Sequence, residues 1–242
     1  MAEKITRYSR GSGLSITAGF FPVLTLCEKR PDLVERVYVS EEASQSEGYQ
    51  KLKQMIPESL ISISTKQVQR LGSKENDHVV AVFRTEEQAL EKDLDHVVLV
   101  NPSDMGNLGN TMRTILAFGY RDLALITPCA DHLNPKVIRA SMGAFFSVRV
   151  QLFDSFERYL ERYPRSWYPF ILQTDRTLSS VSEISEKPIA LVFGNEATGL
   201  PGKLRHAENA LKIEQSDQVD SLNLTTAIAV ALYEFRFRIR RR

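Results

Sequence analysis

The chain has 242 residues, 43% of them hydrophobic and 25% charged, with a formal net charge of +1. This length buries a sizeable core as one large domain or two small ones, and a near-neutral total excludes a global electrostatic footprint for nucleic acid. Two distant cysteines, Cys27 and Cys129, and four histidines without i, i+4 spacing argue against a disulfide framework or a metal site; without an apolar run of membrane length or a secretory signal pattern, the chain reads as cytosolic.

Up to about residue 88 the pattern is mixed α/β. Val34–Val39 predicts a strand, Gly48–Ile56 a short helix stopped by Pro57, and Leu60–Ser64 a second strand. Thr65–Leu71 fits a helix with Thr65 as its cap and Gly72 as its stop. Val79–Phe83 is a further strand, and the charged stretch Arg84–Asp95 reads as a solvated helix or linker.

From His96 onward short apolar runs alternate with helical patterns. Strand His96–Val100 precedes helix Leu108–Phe118, which Gly119 stops. Strand Leu123–Thr127 follows, and Asn134 caps a helix with Pro135 in its first turn and Gly143 beyond its end. Strand Phe145–Val150, helix Asp154–Arg162, and strands Phe170–Thr174, Ile189–Phe193 and Leu211–Ile213 come next. Such runs predict a parallel sheet covered on both faces. Leu224, Ile228, Leu232, Phe235 and Ile239 form the stripe of a last helix, capped by Asp220 or Ser221.

Gly-, Asn- and Ser-rich segments follow four of these strands, and ligands collect outside the carboxyl ends of strands in α/β sheets. One shared site, made largely of backbone, is the expectation. Asn107, Gly109 and Asn110 open a helix that carries Arg113, a start suited to anions. There is neither a Walker loop nor a dinucleotide fingerprint, which argues against a dehydrogenase. Glu196, directly after a buried strand, binds a ligand hydroxyl, holds its loop or caps the following turn; Ser221 and Asn223 fit capping or a ligand contact. Two basic patches occur: Lys4, Arg7, Tyr8 and Arg10, and the tail Arg236–Arg242, which is either a solvated helix end or an RNA contact.

Together, Asn101-Pro-Ser-Asp-Met-Gly-Asn-Leu-Gly-Asn-Thr-Met-Arg, Ala190-Leu-Val-Phe-Gly-Asn-Glu-Ala-Thr-Gly-Leu and Leu211-Lys-Ile-Glu with Asp220-Ser-Leu-Asn-Leu-Thr-Thr resemble the SpoU (TrmH-type) RNA 2′-O-ribose methyltransferases of the SPOUT superfamily. Asn134-Pro-Lys-Val-Ile-Arg-Ala-Ser-Met-Gly adds to the likeness, which spans about residues 94–240. The resemblance implies an α/β fold: a C-terminal parallel-sheet domain, residues 94–242, with a deep trefoil knot, and a smaller L30e-like, RNA-binding α/β domain before it, residues 1–93. It also implies a homodimer, S-adenosylmethionine as methyl donor, and RNA as substrate, with ribosomal RNA preferred over transfer RNA. Thr174, Gly194, Ile213 and Leu222 match the donor-contact positions, and Arg113, Asn107, Glu196, Ser221 and Asn223 the catalytic set. Ala197 stands where the family often has Gly, which strains the loop if that position needs a positive φ; Thr225 replaces a common Ser.

An arginine stays protonated, so the matched role for Arg113 is to orient a ribose 2′-hydroxyl and stabilise the developing alkoxide. Asn107 then fixes the Arg113 segment, Glu196 shapes its loop, and Ser221 and Asn223 position the ribose or a phosphate. The competing reading is a non-catalytic RNA-binding protein that keeps the fold, against which the complete polar set argues.

Overall fold

The structure is a computed structural model that describes residues 8–72, 74–184 and 188–241. Its elements run β1 (Leu14–Ala18), α1 (Phe20–Lys29), β2 (Val34–Val39), α2 (Glu47–Met55), β3 (Ile61–Ile63), α3 (Thr65–Leu71), β4 (Val79–Arg84), β5 (His96–Val100), α4 (Met105–Ala117), β6 (Asp122–Ile126), α5 (Pro135–Ala140), β7 (Arg149–Phe153), α6 (Phe156–Arg162), β8 (Ser166–Pro169), β9 (Glu183–Ile184), β10 (Ile189–Phe193), α7 (Gly202–Arg205), α8 (Leu224–Tyr233) and β11 (Arg240–Arg241). The chain forms two compact units. One holds residues up to Glu86 together with Asp131–Ser147, and the other holds Glu87–Ala130 and Val148 onward.

The first unit is a four-stranded sheet in the order β1-β4-β2-β3. Alternation along β4 decides its two faces. Val79, Ala81 and Phe83 point to a core with Val23, Leu26, Leu52, Ile138 and Phe146, while Val80 and Val82 meet Ile16, Val68 and Leu71. The segment Asp131–Ser147 closes this unit: Arg139 forms a two-pronged ion pair with buried Asp77, and Ser15 Oγ donates to the Leu133 carbonyl at 2.6 Å. Lys4, Arg7 and Arg242 of the two basic patches lie outside the described residues; Tyr8 bonds Asp131.

Several expectations change here. The apolar run at Phe145 is not a strand: Ala144–Ser147 is a 3-10 turn, and Phe145 and Phe146 pack edge-on or tilted against Phe83. The strand starts later, at Arg149. Ser64, not Thr65, caps α3, because the helix begins at Thr65 and its first free N–H groups fall within reach of the residue before it. β1 and α1 fall where no element was expected.

The second unit is a five-stranded, fully parallel sheet in the order β7-β6-β5-β10-β8. Every residue of β5, β6 and β10 is buried, as continuous apolar strands covered on both faces require. α6 covers one face through Phe156 and Tyr159. α4 and α8 pack together, and the stripe Leu224, Ile228, Leu232, Phe235 and Ile239 is buried throughout. After Tyr233 the helix widens into a π-helical turn, Glu234–Arg238, whose Phe235 meets Tyr168 of β8 at 5.3 Å.

The strand expected at Phe170–Thr174 lies earlier, at β8. The Phe170 N–H still bonds the Val192 carbonyl of β10 at 2.9 Å, but the next N–H, that of Ile171, bonds the Leu211 carbonyl at 2.9 Å, so the chain leaves β10 there. Leu211–Ile213 is likewise no full strand. Leu211 bridges Phe170 and Lys212 bridges Thr177, so these two residues run between the two ends of one loop.

Candidate active site at the carboxyl ends of the parallel strands

Strand order reverses between β5 and β10: β6 and β7 follow on one side, β8 lies on the other. Such a switch point opens a crevice at the carboxyl ends of its two strands. The segments that leave them, residues 101–104 and 194–200, meet there.

Glu196 joins them. Its carboxylate accepts from the Ser103 N–H at 3.2 Å and hydroxyl at 3.0 Å, from the Asp104 N–H at 3.3 Å, and from Asn107 Nδ2 at 3.3 Å. Burial pushes this carboxyl up, but the hydrogen bonds from its own N–H, Ser103 and Asn107 outweigh burial and hold it below the usual carboxylate range. Of the roles open for Glu196, loop holding is the one its contacts describe. Asn107 in turn accepts from Asn223 Nδ2 at 3.1 Å, and Asn223 Oδ1 accepts from the Thr225 N–H at 2.9 Å. Asn223 therefore caps α8. Asp220 and Ser221 do not, because the helix starts at Leu224, beyond their reach. α4 also starts earlier than expected, with Asp104 as its cap, which puts Asn107 inside its first turn.

Beside this network is a cavity of about 500 Å³. Phe170–Gln173, Gly194–Leu200, Ile213, Gln215 and Ser221–Leu224 line it. It thus gathers Gly194, Ile213 and Leu222 with Glu196, Ser221 and Asn223. Thr174 lies just past the lining, and its hydroxyl accepts from the Arg176 N–H at 3.3 Å. Asn107 reaches the cavity only through Glu196 and Asn223. Arg113 does not line it; it stands exposed on α4, without a hydrogen-bond or ion-pair partner among the described residues.

The cavity wall needs glycine. A Cβ on Gly194 would lie 2.2 Å from the Gly199 carbonyl carbon and 2.4 Å from the Leu200 nitrogen, inside any backbone contact. Gly199 takes φ +67°, and its N–H and carbonyl both bond Asn195. Ala197 has no positive φ, so the strain considered for it does not arise. Sequence reasoning missed Asn195, whose side chain accepts from the Ala197 and Thr198 N–H groups and donates to the Asn101 carbonyl at 2.8 Å. An Asn directly after a strand-ending Gly is a turn signal that points to it. Arg205, which also lines the cavity, carried no such signal.

The size and lining suit a small organic ligand with an apolar body and a few polar ends. Among the described residues no group of three or more His, Cys, Asp or Glu is placed to hold a metal ion, and no helix is long and apolar enough to cross a membrane.

The model of the SpoU rRNA Methylase family matches residues 95–233. The chain belongs to the SpoU family. This SpoU chain is 33% identical over 142 residues to an uncharacterised tRNA/rRNA methyltransferase of Synechocystis, an alignment covering 58% of the chain and 52% of that relative, so it spans about half of the relative's length. It is 33% identical over 145 residues to a candidate tRNA (cytidine(34)-2′-O)-methyltransferase of Listeria innocua, covering 58% of the chain and 85% of the relative. The fold matches the SpoU methyltransferase AviRb of Streptomyces viridochromogenes, solved with AdoMet, at a TM-score of 0.80 over 93% of this chain and 92% of that one, with 21% identity. A structure described for 2′-OH methylation of C/U34 on tRNA matches at 0.54, with 33% identity over 60% of this chain and 95% of that one.

Proposed function

We propose that this SpoU chain transfers a methyl group from S-adenosylmethionine to a ribose 2′-hydroxyl of RNA. The observation that carries the reading is the cavity at the switch point, whose wall is backbone pressed against Gly194 and whose rim carries Glu196, Ser221 and Asn223. Its apolar lining, Phe170, Ile171, Ile213 and Leu222, suits a planar adenine, and backbone groups beside it suit the donor's polar edges. When bound, the donor supplies an electrophilic methyl on a sulfonium.

The chain's own residues do the rest. The Glu196–Asn107–Asn223 series fixes the cavity rim before RNA arrives, and such positioning supplies roughly 7–11 kcal/mol of a barrier in the best cases. Ser221 and Asn223 hold the ribose or its phosphate. Arg113 orients the hydroxyl and stabilises the oxyanion as the hydroxyl proton passes to water.

Arg113 projects from the exposed stripe of α4; exposed Tyr233 and Phe237 cluster with half-buried Phe118, which follows α4, at ring distances of 5.4–6.5 Å. Phe237 is 63% exposed and Tyr233 47%. We infer that this patch pairs two copies and brings Arg113 to an active site at their interface. A trefoil knot fits the bridging of Leu211 and Lys212 between two ends of one loop. Residues 1–93 are assigned as an L30e-like domain that binds the RNA, and the whole acts in the cytoplasm.

The earlier preference for ribosomal RNA has no support from the relatives at 32–33% identity, most of which carry transfer-RNA names. Transfer RNA is therefore the first substrate to test. The purified protein is incubated with tritiated S-adenosylmethionine and total tRNA or rRNA, and the RNA is digested to nucleosides. Label in a 2′-O-methylnucleoside supports the reading; label on a base, or none in either RNA, overturns it.

A further inference from the structure

The Arg205 guanidinium donates to two backbone carbonyls, Thr198 and Leu200, both at 2.5 Å. Those carbonyls flank Gly199, the left-handed residue of the cavity loop. The Gly199–Leu200 peptide is the one that presses on Gly194. Arg205 thus holds from outside the same stretch of backbone that Gly194 admits from inside. Its own base is firm: α7 is seated by Leu204, 7% exposed, in one core cluster with Leu200.

We propose that Arg205 is a positioning residue that sets the shape of the donor cavity by clamping residues 198–200. This rests on the reading of the cavity as the S-adenosylmethionine site. Charge-assisted bonds to two carbonyls two residues apart fix two peptide planes at once. An ammonium is a compact point charge without the planar fork, so lysine keeps one of the two bonds. Without the clamp the loop samples other conformations, and only the fraction in the bound shape takes up donor.

The test uses the full chain and S-adenosylmethionine in calorimetry, with donor-saturated kinetics and donor-free melting alongside. Arg205→Ala is expected to weaken donor affinity roughly tenfold while kcat at saturating donor changes about twofold or less. Arg205→Lys is expected to recover part of the affinity, and Lys203→Ala, on the exposed side of the same short helix, to bind as wild type. A donor-free melting temperature within about 2 °C of wild type accompanies this pattern. If the wild type binds donor and Arg205→Ala binds it equally well, the clamp is wrong and the cavity assignment stands. If affinity and melting temperature fall together in both Arg205 variants, the residue is only structural and the proposal fails. A folded wild type that binds no S-adenosylmethionine overturns the cavity assignment itself, and the clamp with it.

Discussion

Asn107 and Asn223 stand 116 residues apart in the chain, and their side chains meet at 3.1 Å. The direction of that bond is fixed from outside the pair. Glu196 only accepts, so Asn107 must turn its amino group toward it and its oxygen toward Asn223. Asn223 then donates to Asn107 and keeps its own oxygen for the Thr225 N–H. One carboxylate therefore orders the start of α4, the rim of the cavity and the start of α8.

Replacing that carboxylate disturbs all three. In Glu196→Gln an amino group faces donors that it cannot satisfy, at a cost of about 1–3 kcal/mol. The variant is expected to melt below wild type and to lose most methyl transfer. Chemical unfolding and the tritiated-methyl assay read both; a variant as stable and active as wild type removes Glu196 from this role.

Much of this arrangement was legible in the sequence. β5 and β10 read as continuous apolar runs, the stripe of α8 was visible at its spacing, and the polar residues that follow β10 line the cavity. What was hidden depends on distant contacts. The run at Phe145 looks like a strand, but the Phe145 and Phe146 rings pack on Phe83, about sixty residues away in the chain, in the core of the same unit. The apolar run continues past β8, but Ile171 bonds distant Leu211 rather than β10. Arg205 binds only backbone, so nothing in its neighbours marks it.

Arg113 tests the chemistry apart from the fold. It is exposed and outside the cavity lining. Arg113→Ala is expected to keep melting temperature and donor affinity while methyl transfer falls by about a hundredfold or more, as for loss of a group that stabilises a developing oxyanion. Unchanged turnover removes it from the mechanism.

The aromatic patch of Phe118, Tyr233 and Phe237 tests the assembly. A charge there opposes burial of the patch between copies. Phe237→Asp is expected to convert a dimer to a monomer in light scattering and to lower methyl transfer. A wild type that is monomeric at micromolar concentration contradicts the pairing.

His96 predicts an acid sensitivity remote from the site. It opens β5, fully buried, bonded to the Tyr159 hydroxyl at 3.0 Å and the Glu91 carbonyl at 2.8 Å. Burial, with the nearby Arg165 charge, pushes its pKa down from 6.5 to about 4. The unfolded chain then binds a proton that the folded one refuses between those two values. Stability is full above about pH 6.5 and falls as pH drops toward 4, by up to about 3 kcal/mol from this one group. Urea unfolding at a series of pH values checks the slope, which His96→Gln is expected to lessen; a slope unaltered by that substitution assigns the sensitivity elsewhere.

The most direct test of the account is equilibrium dialysis of radiolabelled S-adenosylmethionine against the wild type and Gly194→Ala side by side. The wild type is expected to retain about one donor per chain, within the small-ligand capacity of a single cavity, and Gly194→Ala to retain almost none while staying folded. Equal retention by both proteins, or none by a folded wild type, contradicts the placement of the methyl donor against Gly194.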